Sequence, residues 1–77
     1  GATLRFALPS ASHVRIALYD AAGREVRMIT DAGYEAGTFT HSWDGDDAAG
    51  GAAPSGLYFA RLSAAGRVLT TRFVLTR

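Results

Sequence analysis

Apolar and polar residues alternate along most of this chain with a repeat of two. Val14, Ile16 and Leu18, for example, stand at every second position of one run. Successive side chains of a β-strand point to opposite faces, so this pattern is typical of strands with one buried face. Six such runs occur, at residues 3–8, 13–19, 24–30, 38–43, 57–62 and 68–75. We therefore predict six short strands and, because no stretch keeps a 3.6-residue period, no helix.

The third run departs from strict alternation. Val26 and Met28 share one face of the predicted strand, whereas Ile29 falls on the other. A β-bulge inserts one extra residue and so moves the following side chains to the opposite face. We expect a bulge near Met28 that reconciles these apolar positions.

The tetrapeptide Ala-Ala-Gly-Arg occurs twice between predicted strands, at residues 21–24 and 64–67. A three-residue hairpin loop needs a type I turn followed by a residue with positive φ, which glycine adopts without strain. We predict that Gly23 and Gly66 each close a hairpin with the same turn. These hairpins would pair the second run with the third and the fifth with the sixth.

Together these elements predict an all-β fold, a small Ig-like or fibronectin III-like antiparallel β-sandwich of six to seven strands. A single domain would span residues 1–77, with any seventh strand a fragment near Ala52 and Ala53. A small closed barrel is the competing architecture. The sandwich is favoured because the long loop at residues 44–56 has the character of a connection between two sheets.

Composition narrows the range of chemistry. The chain has 77 residues and no cysteine, so apolar burial and backbone pairing must stabilise it without disulfides. It also lacks lysine, asparagine and glutamine, which excludes lysine Schiff bases, lysine–asparagine crosslinks and N-linked glycans. The formal charge is +1 and the arginines form no block, which argues against nucleic-acid binding. No apolar segment reaches the ~20 residues of a membrane span, so we predict no membrane insertion.

Four segments, taken in order, resemble one known family. They read V-R-I-A-L-Y-D-A-A-G-R-E-V-R, G-T-F-T-H-S-W-D-G, D-A-A-G-G-A-A-P-S-G-L-Y-F-A-R-L and T-T-R-F-V-L-T-R. The series resembles the Ig-like domain of the flagellar hook-capping protein and, equally, the type A sorting domain of the type IX secretion system. The resemblance extends from about residue 3 to residue 77.

This resemblance implies a non-catalytic, extracytoplasmic module at the C-terminus of a larger bacterial protein, secreted or held at the cell surface. Its partner would be a protein: secretion machinery, cargo or copies of itself. The resemblance implies that a partner recognises the following residues in sorting: Arg72, Phe73, Val74, Leu75, Thr76 and Arg77. The residues that match the family's structural motif, with the turn glycine Gly66 added, are Gly23, Trp43, Asp44, Gly45, Pro54, Ser55, Gly56, Tyr58 and Gly66.

The polar residues offer little other chemistry. Asp44, Asp46 and Asp47 are a weak calcium candidate, because they lack the spaced ligands and distal glutamate of an EF-hand. The alternative is that Asp44 caps a turn while the other two are solvated. His13 and His41 are not placed as a chelating pair, and His41 is expected to be partly buried and hydrogen-bonded. We predict no enzyme activity and no cofactor, since nucleophile–base pairs and acidic pairs are missing.

Two binding modes remain as alternatives. Tyr19 and Phe59 fall on the predicted outer faces, where an exposed aromatic pair would suit a carbohydrate-binding accessory domain. The first and last runs are candidate sheet edges, through which a structural subunit would assemble by strand pairing or by apolar patches. Trp43 and Tyr58 are instead expected to be anchors of the core.

Overall fold

The computed structural model describes residues 2–76, which form six antiparallel strands. The strands are β1 (Ala2–Leu8), β2 (Ser12–Asp20), β3 (Glu25–Tyr34), β4 (Gly37–Trp43), β5 (Gly56–Ala64) and β6 (Arg67–Leu75). β1 and β4 form a two-stranded sheet, and the other four strands form a second sheet in the order β3-β2-β5-β6. The predicted all-β sandwich is confirmed, because two separate sheets rule out a closed barrel.

The core lies between the two sheets and contains two apolar clusters. One is centred on Leu18 of β2 and Trp43 of β4, and the other on Val14 and Ile16 of β2. Val14 and Leu18 have no exposed surface. The alternation of β2 therefore works as expected, with every second side chain directed into the core.

The long loop between β4 and β5 crosses from the smaller sheet to the larger one, as predicted. Ala52 forms an isolated bridge with Asp46 across this loop and adds no seventh strand to either sheet. The chain thus has six strands over its described residues, the lower end of the predicted range.

Two bulges resolve the irregular pattern of β3. The pairing with β2 shifts register between Ile16 and Ala17 and again between Leu18 and Tyr19. Val26 and Ile29 consequently both pack against the core, although three positions separate them. Met28 instead pairs with Ala17, whose neighbours Ile16 and Leu18 face inward. The expected bulge is confirmed, whereas the expectation that Val26 and Met28 share a face is wrong.

The first Ala-Ala-Gly-Arg turn has the predicted geometry. Gly23 has a φ of 86°, and its N–H donates to the carbonyl of Asp20 at 3.0 Å. The Asp20 carboxylate accepts hydrogen bonds from the backbone N–H groups of Arg24 and Ala22. These bonds lower the pKa of Asp20, that from the Arg24 backbone having the largest effect, because they stabilise the ionised form.

The second turn differs from the first, so the expectation of one turn used twice is wrong. Ala64 pairs with Arg67, which leaves a loop of two residues, Ala65 and Gly66. Their φ values are 51° and 75°, both positive as in a type I′ turn. In a two-residue loop, positive φ at both positions matches the twist of the flanking strands. The longer loop of the first hairpin needs only one residue with positive φ.

We expect Ala65→Asn to stabilise the domain. Ala65 is the one non-glycine residue with positive φ among residues 2–76. A side chain with a Cβ is strained there by roughly 1–2 kcal/mol, and asparagine tolerates this conformation better. The free energy of unfolding should rise by about 0.5–1 kcal/mol in chemical denaturation. Ala22→Asn in the first turn is the matched control and should give no gain; an equal gain at both positions would contradict the explanation.

Candidate protein-interaction surface

Trp43 anchors the Trp-Asp-Gly motif in the core. Its side chain is 3% exposed, and its ring meets those of Tyr58 and Phe73 edge to face, at centroid distances of 5.3 and 5.9 Å. The indole Nε1–H donates to the carbonyl of Asp46 at 2.8 Å. The residue therefore fills the core and also fixes the start of the long loop.

The far end of the loop is held in a similar way. The hydroxyl of Tyr58 donates to the carbonyl of Pro54, and the N–H of Ala53 donates to the carbonyl of Gly45 at 2.8 Å. Gly45 is buried with a φ of 91°, a backbone conformation that favours glycine. The Trp-Asp-Gly and Pro-Ser-Gly motifs thus shape the crossing between sheets, and Trp43 and Tyr58 are core anchors as predicted.

Two of the three loop carboxylates, those of Asp44 and Asp47, accept hydrogen bonds from the backbone. Asp44 accepts a hydrogen bond from the N–H of Asp46, which confirms its predicted role in a turn. Asp47 accepts hydrogen bonds from the N–H groups of Ala49 and Gly51, although the sequence alone predicts a solvated side chain. Over residues 2–76, no three acidic or histidine side chains come together in a group that could hold a metal. The calcium hypothesis therefore has no geometric support.

The histidines lie in separate surroundings. His41 Nε2 lies 2.8 Å from the hydroxyl of Tyr34, which also bonds Thr30, so the predicted partly buried and hydrogen-bonded histidine is confirmed. His13 is exposed and forms a pair with Asp31. The two histidines serve different local contacts.

The predicted sorting residues divide between the two faces of β6. Phe73 and Leu75 pack into the core, where Leu75 is 3% exposed. Arg72 and Val74 point to the opposite, outer face, and Val74 is 69% exposed. Thr76 is exposed beyond the strand, and Arg77 lies outside the described residues. A partner that reads this segment on the folded domain can contact only its outward members.

Strand pairing extends this outer surface across three strands. Arg72 of β6 is opposite Phe59 of β5, which in turn is opposite Tyr19 of β2. Val74 is opposite Leu57, which is 40% exposed. We call these five residues the outer patch. The predicted pair of Tyr19 and Phe59 on the outer face is confirmed, and both side chains are half-buried.

The outer patch lies in a basic part of the chain. All seven acidic side chains lie between Asp20 and Asp47, in β2, in β3, or in the loops that follow β3 and β4. The two strands that carry most of the patch, β5 and β6, contain Arg61, Arg67 and Arg72 and no acidic residue. The resulting surface combines apolar side chains with positive charge and has no carboxylate of its own to compensate it.

A comparison with protein-family models matches residues 1–67 to the FlgD Ig-like domain. The chain belongs to this family. No curated protein and no solved structure gives a significant match to this chain. The part of the sequence resemblance that concerned the hook-capping Ig-like domain is therefore confirmed, and the likeness to a type IX sorting domain stays a prediction.

FlgD Ig-like domains are structural and non-enzymatic, and this family supports a role in protein–protein contacts. The match includes the whole Trp-Asp-Gly and Pro-Ser-Gly region and ends at Arg67, where β6 begins. Most of β6, including Arg72 and Val74, therefore lies beyond the segment that defines the family here. Residues 2–76 form no helix that could span a membrane.

Sequence reasoning missed Leu57 as part of the surface. Its partner Val74 follows only from the register of the second hairpin, which the two-residue turn fixes. Alternation places Leu57 and Phe59 on the outer face, and that signal could have identified Leu57 as an exposed apolar residue. Alternation does not place Leu57 beside Val74, because the three-residue loop expected from the sequence gives a different register from the two-residue loop of the structure.

Proposed function

We propose that this domain is a non-catalytic attachment or sorting module of a larger bacterial protein, and that a protein partner recognises it through the outer patch. The observation that carries the proposal is the exposed apolar pair within the outer patch, Leu57 of β5 beside Val74 of β6. Among residues 2–76, the exposed large hydrophobic side chains are Leu57 on β5 and three on β6, of which Val68 and Val74 lie on the outer face and Leu69 on the inner face. Apolar side chains that are adjacent on a surface favour binding to another protein.

The mechanism would be recognition of a sheet face. Leu57 and Val74 supply apolar contact area, and Arg72 beside them supplies a positive charge that attracts a carboxylate-bearing partner. Arginine suits this role because its planar guanidinium binds carboxylates with two parallel hydrogen bonds. The module would be displayed outside the cytoplasm, where type IX secretion machinery or an envelope protein would bind it.

The experiment is a reporter fused to this domain in a host that uses type IX secretion. The double variant Leu57→Asp/Arg72→Glu changes only the outer patch and leaves the inward residues Phe73 and Leu75 in place. We expect surface delivery of the reporter to fall at least about tenfold, since apolar contact and charge attraction are both lost. Deleting residues 72–77 would be a poorer test, because it removes two core side chains as well.

The matched control is Thr3→Asp/Arg5→Glu on β1. These two residues are exposed on the other sheet, and the substitutions introduce the same change of charge. Delivery with the control should equal that of the unmodified domain, and circular dichroism should confirm that both variants fold. Equal delivery by the two double variants would refute recognition through the outer patch.

A further inference from the structure

β6 presents an unusually regular free edge. It is the last strand of the larger sheet, and its nine residues pair with β5 without a register shift. The opposite edge strand, β3, contains two bulges, which interrupt the regular backbone that strand addition requires. A long, straight edge with exposed apolar side chains is a site for pairing with another strand. Val68 and Val74 are 52% and 69% exposed on its outer face.

The two-residue turn decides which backbone groups lie on this edge. Such a turn closes on a hydrogen-bonded pair, here Ala64 and Arg67, so the backbone groups of Arg67 point toward β5. Alternate residues of an antiparallel strand point the other way. The N–H and C=O groups directed away from β5 are those of Val68, Thr70, Arg72 and Val74.

We propose that β6 pairs with β6 of a second copy of this chain, antiparallel and centred on Thr71. This pairing would join the two larger sheets into one continuous sheet across a two-fold axis. Val68 would lie opposite Val74 of the second copy, and Leu69 opposite Phe73. Each pair of residues whose backbone groups point away from β5 would exchange two hydrogen bonds between the copies. The inference does not depend on the proposed sorting function, because the backbone edge of β6 makes the hydrogen bonds between the copies, although Val74 belongs to both surfaces.

The register follows from the positions of the side chains along β6. Both copies must keep their inner faces on the same side, so only pairs of like parity can be opposite. Centring on Arg72 would place the two Arg72 side chains directly opposite each other, which is destabilising. Centring on Thr70 would place Arg72 opposite Val68 and Arg67 opposite Phe73. Only the Thr71 register pairs valine with valine and covers Leu69, which is 64% exposed, with an aromatic ring.

The first test is the mass of the domain in solution. Sedimentation equilibrium of the unmodified protein should show a transition from the 8.1 kDa monomer to a species of twice that mass, at roughly millimolar concentration or below. A contact of one strand edge is small, so a weak dimer is expected. An 8.1 kDa monomer throughout this range would overturn the proposal.

Two double variants test the register itself. Val68→Lys/Val74→Glu places opposite charges at both contacts between the copies and should keep the dimer. Val68→Lys/Val74→Lys places like charges there and should raise the dissociation constant at least about tenfold relative to the first variant. Within one copy the two positions are ~20 Å apart, so they do not interact directly.

The paired design separates this proposal from general effects of surface charge. Both variants share Val68→Lys, and both sites are exposed, so the fold should be kept and can be verified by circular dichroism. Equal dissociation constants for the two variants would overturn the Thr71 register. The two proposals have different readouts, reporter delivery for the changes at Leu57 and Arg72 and dimer dissociation for the changes at Val68 and Val74, so either proposal can fail without the other.

Discussion

Trp43→Ala should leave the domain largely unfolded or close to it. The substitution removes a side chain that is 3% exposed and packs against Tyr58 and Phe73. Replacing a buried tryptophan with alanine costs about 3–5 kcal/mol. A domain of this size has a total stability of roughly 4–12 kcal/mol, so the loss is a large part of the whole. Guanidinium denaturation, monitored by circular dichroism, measures this loss of stability without relying on tryptophan fluorescence.

Trp43→Phe separates packing from hydrogen bonding at the same position. Phenylalanine keeps most of the apolar contact but cannot donate to the carbonyl of Asp46, which Trp43 Nε1 bonds at 2.8 Å. The loss should be smaller than for alanine, about 1–2 kcal/mol, because one partly buried acceptor loses its donor. If Trp43→Ala lost less than about 1 kcal/mol, the assignment of this residue as a core anchor would be wrong.

The importance of Trp43 was evident from the sequence, whereas the details of its loop were not. Alternation predicts that Trp43 lies on the inner face, because the two-residue period of a strand can be read from the sequence without knowledge of tertiary contacts. The hydrogen bonds of Asp47 to Ala49 and Gly51 depend on how the loop between β4 and β5, residues 44–55, folds back, and no periodic pattern describes this. Composition alone does not show whether the side chain of a short polar residue in such a loop bonds the backbone or the solvent.

The second hairpin explains why the interaction surface could not be predicted from the sequence. The tetrapeptides at residues 21–24 and 64–67 are identical, yet Ala22 has a negative φ and Ala65 a positive one. Local sequence therefore does not determine the turn type; the pairing of the flanking strands also contributes. A one-residue change in this turn exchanges the faces of β6 relative to β5. The outer patch and the edge register both depend on that detail, so neither followed from the sequence alone.

Leu18→Ala should be the other strongly destabilising change, because it acts on the central strand β2. Leu18 has no exposed surface and belongs to the same cluster as Trp43 and Tyr58. Truncating a buried leucine to alanine costs about 2–5 kcal/mol, from lost apolar burial and from the cavity left behind. The upper half of that range is expected, because strands on both sides hold β2 in place and limit the relaxation that would fill the cavity.

Leu69→Ala is the matched control for Leu18→Ala, because the same atoms are removed from a side chain that is 64% exposed. In dilute solution, where the proposed dimer is dissociated, the change should lie within about 0.5 kcal/mol of zero. Urea denaturation at low protein concentration compares the two variants directly. Similar losses would mean that the inner face of β6 at Leu69 belongs to the core of the monomer. That result would remove a reason for a second strand to cover it, since the apolar surface there would already be buried.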